Sequence, residues 1–259
     1  MAGVNRIDQV EAYVLHTLPF RETSLLVDAF TERHGRVSLA ARGARRPASA
    51  LRGVLLPFQR VSLSWFGKGE VKTLHSAEWL AMTPGLNGRA LICGFYLNEL
   101  LVRLLPREDP HPGTFAAYER ALAALPCAAR IDAVLRPFEL ALLADLGYAI
   151  DLAREAGGGA PVTAEGCYRY LPESGLVRVA GAAGAGHRDT RDAEGGPSTD
   201  AGASIGARVS GTTLLAMQAG DYAEMGVRRE ALRLLRTALG HYLGDRPLLS
   251  RDMLAPFQE

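Results

Sequence analysis

The hydrophobic periodicity of this chain changes once, between residues 80 and 86, and that change limits the folds open to it. Before it, apolar residues alternate with polar ones at period two; after it, they recur every three or four positions. EAYVLHT (11–17), TSLLVDAF (23–30), GRVSLAAR (35–42), QRVSLSWF (59–66) and EVKTLHSAEWL (70–80) are short and rich in Val, Leu and aromatic residues. Pro19, His34-Gly35, Pro47, Pro57 and Gly67-Lys68-Gly69 punctuate them, as turns between strands require. Val61, Leu63 and Trp65 fall on one face of their strand and Ser62, Ser64 and Phe66 on the other, so at least one of the adjacent aromatics faces a core. Five short strands predict a small closed barrel, and both an OB-fold and an SH3-like barrel satisfy the pattern.

Beyond Pro84, Leu91, Phe95, Leu97, Leu101 and Leu104 recur at helical spacing, and Pro106 closes that segment. A second helix opens at Pro112, a favourable first-turn residue, and a third runs through ARIDAVLRPFELALLADLGY to Gly147 as C-cap. Pro137 inside the third predicts a kink or a break. Helices at about 210–219 and 226–243 follow, the latter striped by Ala231, Leu234, Leu235, Ala238 and Leu239. The fold class is therefore α+β and multi-domain: a five-stranded barrel over 1–82, then an all-helical domain over 83–259. Residues 180–207 contain no aromatic, Leu or Val, cannot bury enough apolar area to offset their ordering entropy, and read as a disordered insertion.

With 259 residues and 48% of them apolar, the chain can build cores of this size. It has no run of 18 apolar residues, and MAGVNRIDQVEAYVL is too interrupted for a secretory signal, so a cytoplasmic protein without a membrane partner is expected. Cys93, Cys127 and Cys167 stand far apart, too scattered for a disulfide framework or a thiolate zinc site. His187, Asp189, Asp192 and Glu194 sit in the flexible stretch and read as a solvated loop, not as metal ligands. No GxSxG, HExxH or convincingly paired carboxylates occur, so neither catalysis nor a cofactor is expected.

Net charge is only +1, yet the charge is unevenly placed. Between Arg33 and Lys72 stand nine basic residues (Arg33, Arg36, Arg42, Arg45, Arg46, Arg52, Arg60, Lys68 and Lys72) against one acid, Glu70. Arg42, Arg45, Arg46 and Arg52 fall at a strand end and in the loop after it, where few carboxylates can neutralise them. A local stripe of this kind binds phosphate even on a neutral molecule. Phe58, Trp65 and Phe66 lie close in sequence and can stack on unpaired bases where they are exposed. GKGEVKTL lacks the GxxxxGK[ST] spacing and a following helix, so it reads as a hairpin turn that adds Lys68 and Lys72 to the basic region.

Five ordered blocks, ETSLLVDAFTERHGRVSLAARGARRP (22–47), GKGEVKTLHSAEW (67–79), FYLNELLVRLL (95–105), RPFELALLADLGY (136–148) and PLLSRDML (247–254), resemble the RecO family of recombination mediators over nearly the whole chain. The resemblance implies an N-terminal OB-fold, a helical C-terminal domain, and a role in recombinational DNA repair in the bacterial cytoplasm, at the nucleoid. It implies binding and annealing of single- and double-stranded DNA, and action with RecR. It also implies loading of the recombinase RecA onto strands coated by single-stranded DNA-binding protein. The family's basic surface maps onto Arg33, Arg36, Arg42, Arg45, Arg46 and Arg52, with Lys68 and Lys72 beside them. Contact with the acidic C-terminal tail of single-stranded DNA-binding protein calls for an apolar notch flanked by Arg. Arg136 beside Phe138 and Leu142 is the expected place, with core packing as the other reading of the two apolar residues. Some relatives carry a four-cysteine zinc module where this chain has Cys167 alone, so no zinc is expected.

Overall fold

Strands β1 (Arg6–Phe20), β2 (Ser24–Thr31), β3 (Gly35–Ala41), β4 (Arg60–Phe66) and β5 (Val71–Ala81) close into a barrel in the order β1-β2-β3-β5-β4. The structure is a computed structural model describing residues 6–81, 85–179, 206–244 and 246–254, the last segment with only part of its side chains. Every neighbouring pair is antiparallel except β3 and β5, where Ser38, Leu39 and Ala40 run parallel to Val71, Lys72 and Thr73. A short helix, α1 (Leu51–Val54), stands between β3 and β4. Closure through a parallel pair with a helix at that position is the OB topology, and it decides between the two barrels the sequence allows.

The period-two pattern places the core as the sequence predicts. Val61, Leu63 and Trp65 are fully buried with Val14, Val27, Val37 and Leu39, while Phe66 is half-buried on the other face. Each such side chain contributes about 1.5–3 kcal/mol of transfer free energy.

By compactness the chain divides into residues 1–146 with 245–259, and residues 147–244. The change of periodicity thus marks the end of the barrel, not the limit of the unit that contains it. The first unit adds α2 (Gly88–Leu104), α3 (Pro112–Ala124), a 3₁₀ turn (Leu125–Cys127), α4 (Asp132–Asp145) and α7 (Leu249–Leu254). Helix α4 continues through Pro137 as one element, with Leu135, Phe138, Leu142 and Leu143 buried along it, and Gly147 (φ 86°) follows its end. Packing on both sides of the proline outweighs the single backbone hydrogen bond that it forfeits.

The barrel's outer aromatics meet α3: Tyr13 lies 5.6 Å from Phe115 and 5.3 Å from Tyr118, and Phe30 lies 5.4 Å from Phe115. Inside this apolar contact sits one buried amide. Asn98 Nδ2 donates to the Leu15 carbonyl at 2.7 Å, and its Oδ1 accepts from the Tyr118 hydroxyl at 2.6 Å. The segment joining α2 to α3 docks on β3, where the Glu108 N–H donates to the Arg36 carbonyl at 2.9 Å. Gly35 admits it: φ is +60°, and a Cβ there would stand 2.0 Å from the Asp109 carbonyl oxygen.

The second unit corrects the expectation of an all-helical region. Beside α5 (Gly211–Ala219) and α6 (Met225–Leu243) it holds an antiparallel sheet, β7-β6-β8, made of β6 (Cys167–Leu171), β7 (Gly175–Arg178) and β8 (Ala207–Ser210). Tyr168 and Tyr170 point inward from β6, but strands of four and five residues carry too little alternation to register against the helices around them. Ser210 caps α5, accepting from Thr213 N–H at 3.2 Å, and donates to Glu230 of α6 at 2.7 Å. Burial is the largest single influence on the Glu230 carboxyl and acts to raise it, but hydrogen bonds from the Ser210 N–H and hydroxyl and from Thr213, with Arg233 nearby, together hold it below its ordinary range. Of the expected insertion at 180–207, residues 180–205 lie outside the described residues, and Ala207 already belongs to β8.

Replacing Asn98 by Ala strips two buried partners of their hydrogen bonds, and the unfolding free energy should fall by about 2–4 kcal/mol in urea titrations. Tyr13 offers a pH test. Burial, then the Glu119 charge, pushes its hydroxyl up to about 12, so the folded state holds this proton more tightly than the unfolded chain. Its contribution is complete below pH about 10 and is lost as pH rises toward about 12. Stability measured over that window should therefore decline less steeply in Tyr13→Phe.

Candidate nucleic-acid interface

Strand register divides the basic residues between the two ends of the barrel. β3 spans seven residues, so its ends stand about 20 Å apart. Thr31 pairs with Gly35, and Val71 lies beside Ser38, which puts the β2–β3 turn and the β4–β5 turn at the first end. Leu25 pairs with Ala41, which puts the β1–β2 turn beside the loop after β3 at the other.

The first end is charge-compensated. Arg36 donates to the Leu105 carbonyl at 3.1 and 3.3 Å and lies 3.9 Å from Asp28. Lys72 is buried, bonded to the Glu108 carboxylate and 3.3 Å from the Gly69 carbonyl oxygen. Arg107 faces Glu70 at 3.7 Å. The basic turn imagined from GKGEVKTL therefore presents Lys68 alone, since Lys72 turns inward. Arg33 and Lys68 stay exposed there, and His34 is pushed down by burial, then by Arg33 and Lys72. Sequence reasoning counted Arg36 and Lys72 with the open cations because it cannot see that the segment after α2 brings the Leu105 carbonyl to Arg36 and the Glu108 carboxylate to Lys72. Arg60, on the barrel side, is likewise held by Glu11 and by Glu119 at 2.7 Å.

The second end is different. Arg42, Arg45 and Arg46 in the loop after β3, Arg52 on α1 and Arg21 in the β1–β2 turn are all exposed, and none forms an ion pair with a carboxylate among the described residues. The loop is fixed by backbone: Arg45 N–H donates to the Thr23 carbonyl at 2.9 Å, Arg46 N–H to the Gly43 carbonyl at 3.0 Å, and Arg52 N–H to the Ser49 carbonyl at 3.2 Å. One guanidinium bond, Arg45 Nη1 to the Glu22 carbonyl at 3.2 Å, ties the loop to the β1–β2 turn. Arg21 was missed from sequence. Only the hairpin register shows that a residue twenty positions earlier comes to the same end.

Of the aromatics expected as stacking surfaces, Trp65 is enclosed in the barrel with the His34 ring 5.5 Å away, and Phe58 is buried against Phe95 at 5.1 Å. Phe66 is half-buried. The expected tail-binding notch is also corrected. Arg136, Phe138 and Leu142 are all buried, and the Arg136 guanidinium is held by Glu139 at 2.7 Å and faces Asp132 at 3.5 Å. Glu139 in turn accepts from the Tyr96 hydroxyl at 2.6 Å. Those three residues build the helical core, because the face of α4 that carries them is the face that packs. Among the described residues no group of His, Cys, Asp or Glu gathers as a metal site would require, and no helix is long and apolar enough to cross a membrane.

An OB barrel with an uncompensated arginine end defines a class of polyanion-binding domain. Comparison with known proteins carries this further. Residues 6–83 match the family model for the N-terminal part of recombination protein O, and residues 86–252 the model for its C-terminal part. The chain is 47% identical to a DNA repair protein RecO of Azoarcus sp. strain BH72 and 49% identical to that of Aromatoleum aromaticum, each over the full length of both chains. It is 44% identical to the RecO of Chromobacterium violaceum, over all of this chain and 98% of that one. The chain belongs to the RecO family of DNA repair proteins.

The two ends should separate in a stability measurement. Lys72→Met removes the bond that ties the half-exposed Glu108 to the barrel and should lower the unfolding free energy by about 0.5–1.5 kcal/mol, whereas Arg42→Ala should change it by less than about 0.5 kcal/mol.

Proposed function

We propose that this protein binds DNA through the arginine end of its barrel and anneals complementary strands there, as a non-catalytic mediator of recombinational repair. The supporting observation is the group of exposed guanidinium ions at Arg42, Arg45, Arg46, Arg52 and Arg21 that no carboxylate neutralises among the described residues. Five cations on a backbone-fixed loop, a turn and a short helix meet the charge of a phosphate chain without prior rearrangement. Two strands held there repel each other less, since each phosphate contact replaces condensed counterions. Base pairing supplies the selectivity, because contacts to phosphate carry no sequence information. Arg33 and Lys68 lie at the opposite end and lengthen the path a strand can follow; Arg36 and Lys72 act as structural cations.

The same reading places the protein with RecR and with single-stranded DNA-binding protein, clearing strands for the recombinase RecA. Family membership supports that placement. The acidic tail of single-stranded DNA-binding protein has to find a surface other than the interior Arg136 cluster.

Arg42→Glu/Arg45→Glu/Arg46→Glu should weaken binding of a labelled oligonucleotide at least about 100-fold at moderate salt, lower the slope of log affinity against log salt by about two, and leave the melting temperature close to that of the unaltered chain. Annealing of bare complementary oligonucleotides, followed by fluorescence, should lose its acceleration in the same variant. Undiminished binding would assign the DNA face elsewhere. No acceleration by the unaltered protein would leave only a scaffolding role, and stronger binding of RNA than of DNA of equal length would redirect the reading to an RNA partner.

A further inference from the structure

The chain contains two tryptophans, and the fold gives them opposite environments. Trp65 is fully buried in the barrel, whereas Trp79 on β5 is 55% exposed. Trp79 pairs with Val61 at the start of β4, far along β5 from the parallel closure. Its ring edge comes 3.9 and 4.0 Å from the point where a Cβ would stand on Gly53 of α1. Gly53 follows Arg52 directly, and α1 is the continuation of the loop that carries Arg42, Arg45 and Arg46. An indole open to solvent thus lies against α1 at its glycine, on the helix that continues the loop of exposed arginines.

The geometry points to Trp79 as a platform on which an unpaired base stacks while the neighbouring arginines hold the phosphates of the same strand. This rests on the reading of those arginines as phosphate contacts and goes one step further, to the choice between single strand and duplex. Phosphates are common to both forms, so the arginines alone discriminate poorly. Bases in a duplex are already stacked on one another, whereas a base in a single strand offers a free face, and any of the four bases can use it. The charge at this end of the barrel names the occupant: a ring beside the helix that carries the exposed Arg52 suits a polyanion that carries flat apolar groups. Trp79 is therefore the residue that turns a general phosphate surface into one that prefers single strands. The aromatic role that the sequence suggested for Phe58, Trp65 and Phe66 passes to a residue whose exposure no local pattern reveals.

Because Trp65 is enclosed, acrylamide quenching of the unaltered protein reports on Trp79. Oligothymidine at saturation, established independently by the anisotropy of a labelled strand, should lower the tryptophan emission and shield it from acrylamide, and a blunt duplex of equal length should leave it accessible. Trp79→Ala should lower the ratio of single-strand to duplex affinity about tenfold or more, and Trp79→Phe should restore most of it, because the phenyl ring still stacks. Unchanged emission and unchanged acrylamide access at saturation would overturn the assignment, as would an unaltered affinity ratio in Trp79→Ala. The charge-reversed variant Arg42→Glu/Arg45→Glu/Arg46→Glu separates the two readings. If it loses binding while the Trp79 tests fail, the phosphate face stands and the platform falls. If it binds as tightly as the unaltered chain while Trp79 is still shielded, the platform stands and the phosphates are held elsewhere. If oligothymidine does not bind at all, both fall.

Discussion

Parallel pairing of Ser38, Leu39 and Ala40 with Val71, Lys72 and Thr73 closes the barrel, and much of the first unit follows from that closure. It encloses Trp65, Leu63 and Leu39 in a dry interior. It also aligns the β2–β3 and β4–β5 turns at one end and leaves the loop after β3 at the other. Once the ends are distinguished, the segment between α2 and α3 can cover only one of them. It covers the end at Gly35, the residue that lets the Asp109 backbone come close. Glu108 on that segment then neutralises Lys72, and Glu70 of the β4–β5 turn faces Arg107, while the far end keeps its field.

Asn98 shows how the barrel is held to the helices without loss of specificity. An apolar contact between Tyr13, Phe30, Phe115 and Tyr118 tolerates sliding, because dispersion and area burial have no direction. A buried amide with one donor and one acceptor already committed does not, since any slip leaves polar groups unpaired in a dry contact. The register of α2 against β1 is thereby set by a side chain that reads as an ordinary helix residue in the sequence. Arg136 and Glu139 do the equivalent within the helices, where a charged pair is kept buried together with the Tyr96 hydroxyl. An arginine in an apolar stretch invites a functional reading. Here its partner lies three residues along the same helix, and both face the core.

For function, the distinction that matters is between cations that fold the protein and cations that it keeps free. Arg36, Arg60 and Lys72 each bring a carboxylate or carbonyl partner into place and are spent in doing so. Arg42, Arg45, Arg46 and Arg52 sit where the chain is shaped by backbone hydrogen bonds and by one guanidinium bond, Arg45 to the Glu22 carbonyl, so none of the four is held in an ion pair with a carboxylate among the described residues. A loop fixed by its own backbone presents charge at a low entropic cost on binding.

Periodicity alone determined that the chain begins as a barrel of five strands and continues in helices, because alternation at period two and recurrence at three to four reflect local geometry. The inward-facing set at Val61, Leu63 and Trp65, the helix start at Pro112 and a helix at about 210–219 were legible for the same reason, and the clustering of arginine between residues 42 and 52 was legible from composition. Tertiary structure decided what depends on contacts distant in sequence: the parallel closure that makes the barrel an OB-fold, and the small sheet around Tyr168 and Tyr170. It also decided the burial of Arg136, the capture of Lys72 by Glu108, and the exposure of Trp79 beside Gly53. Whether a charge is free or an aromatic is open is settled by what the rest of the chain brings to it, and no window of neighbouring residues contains that information.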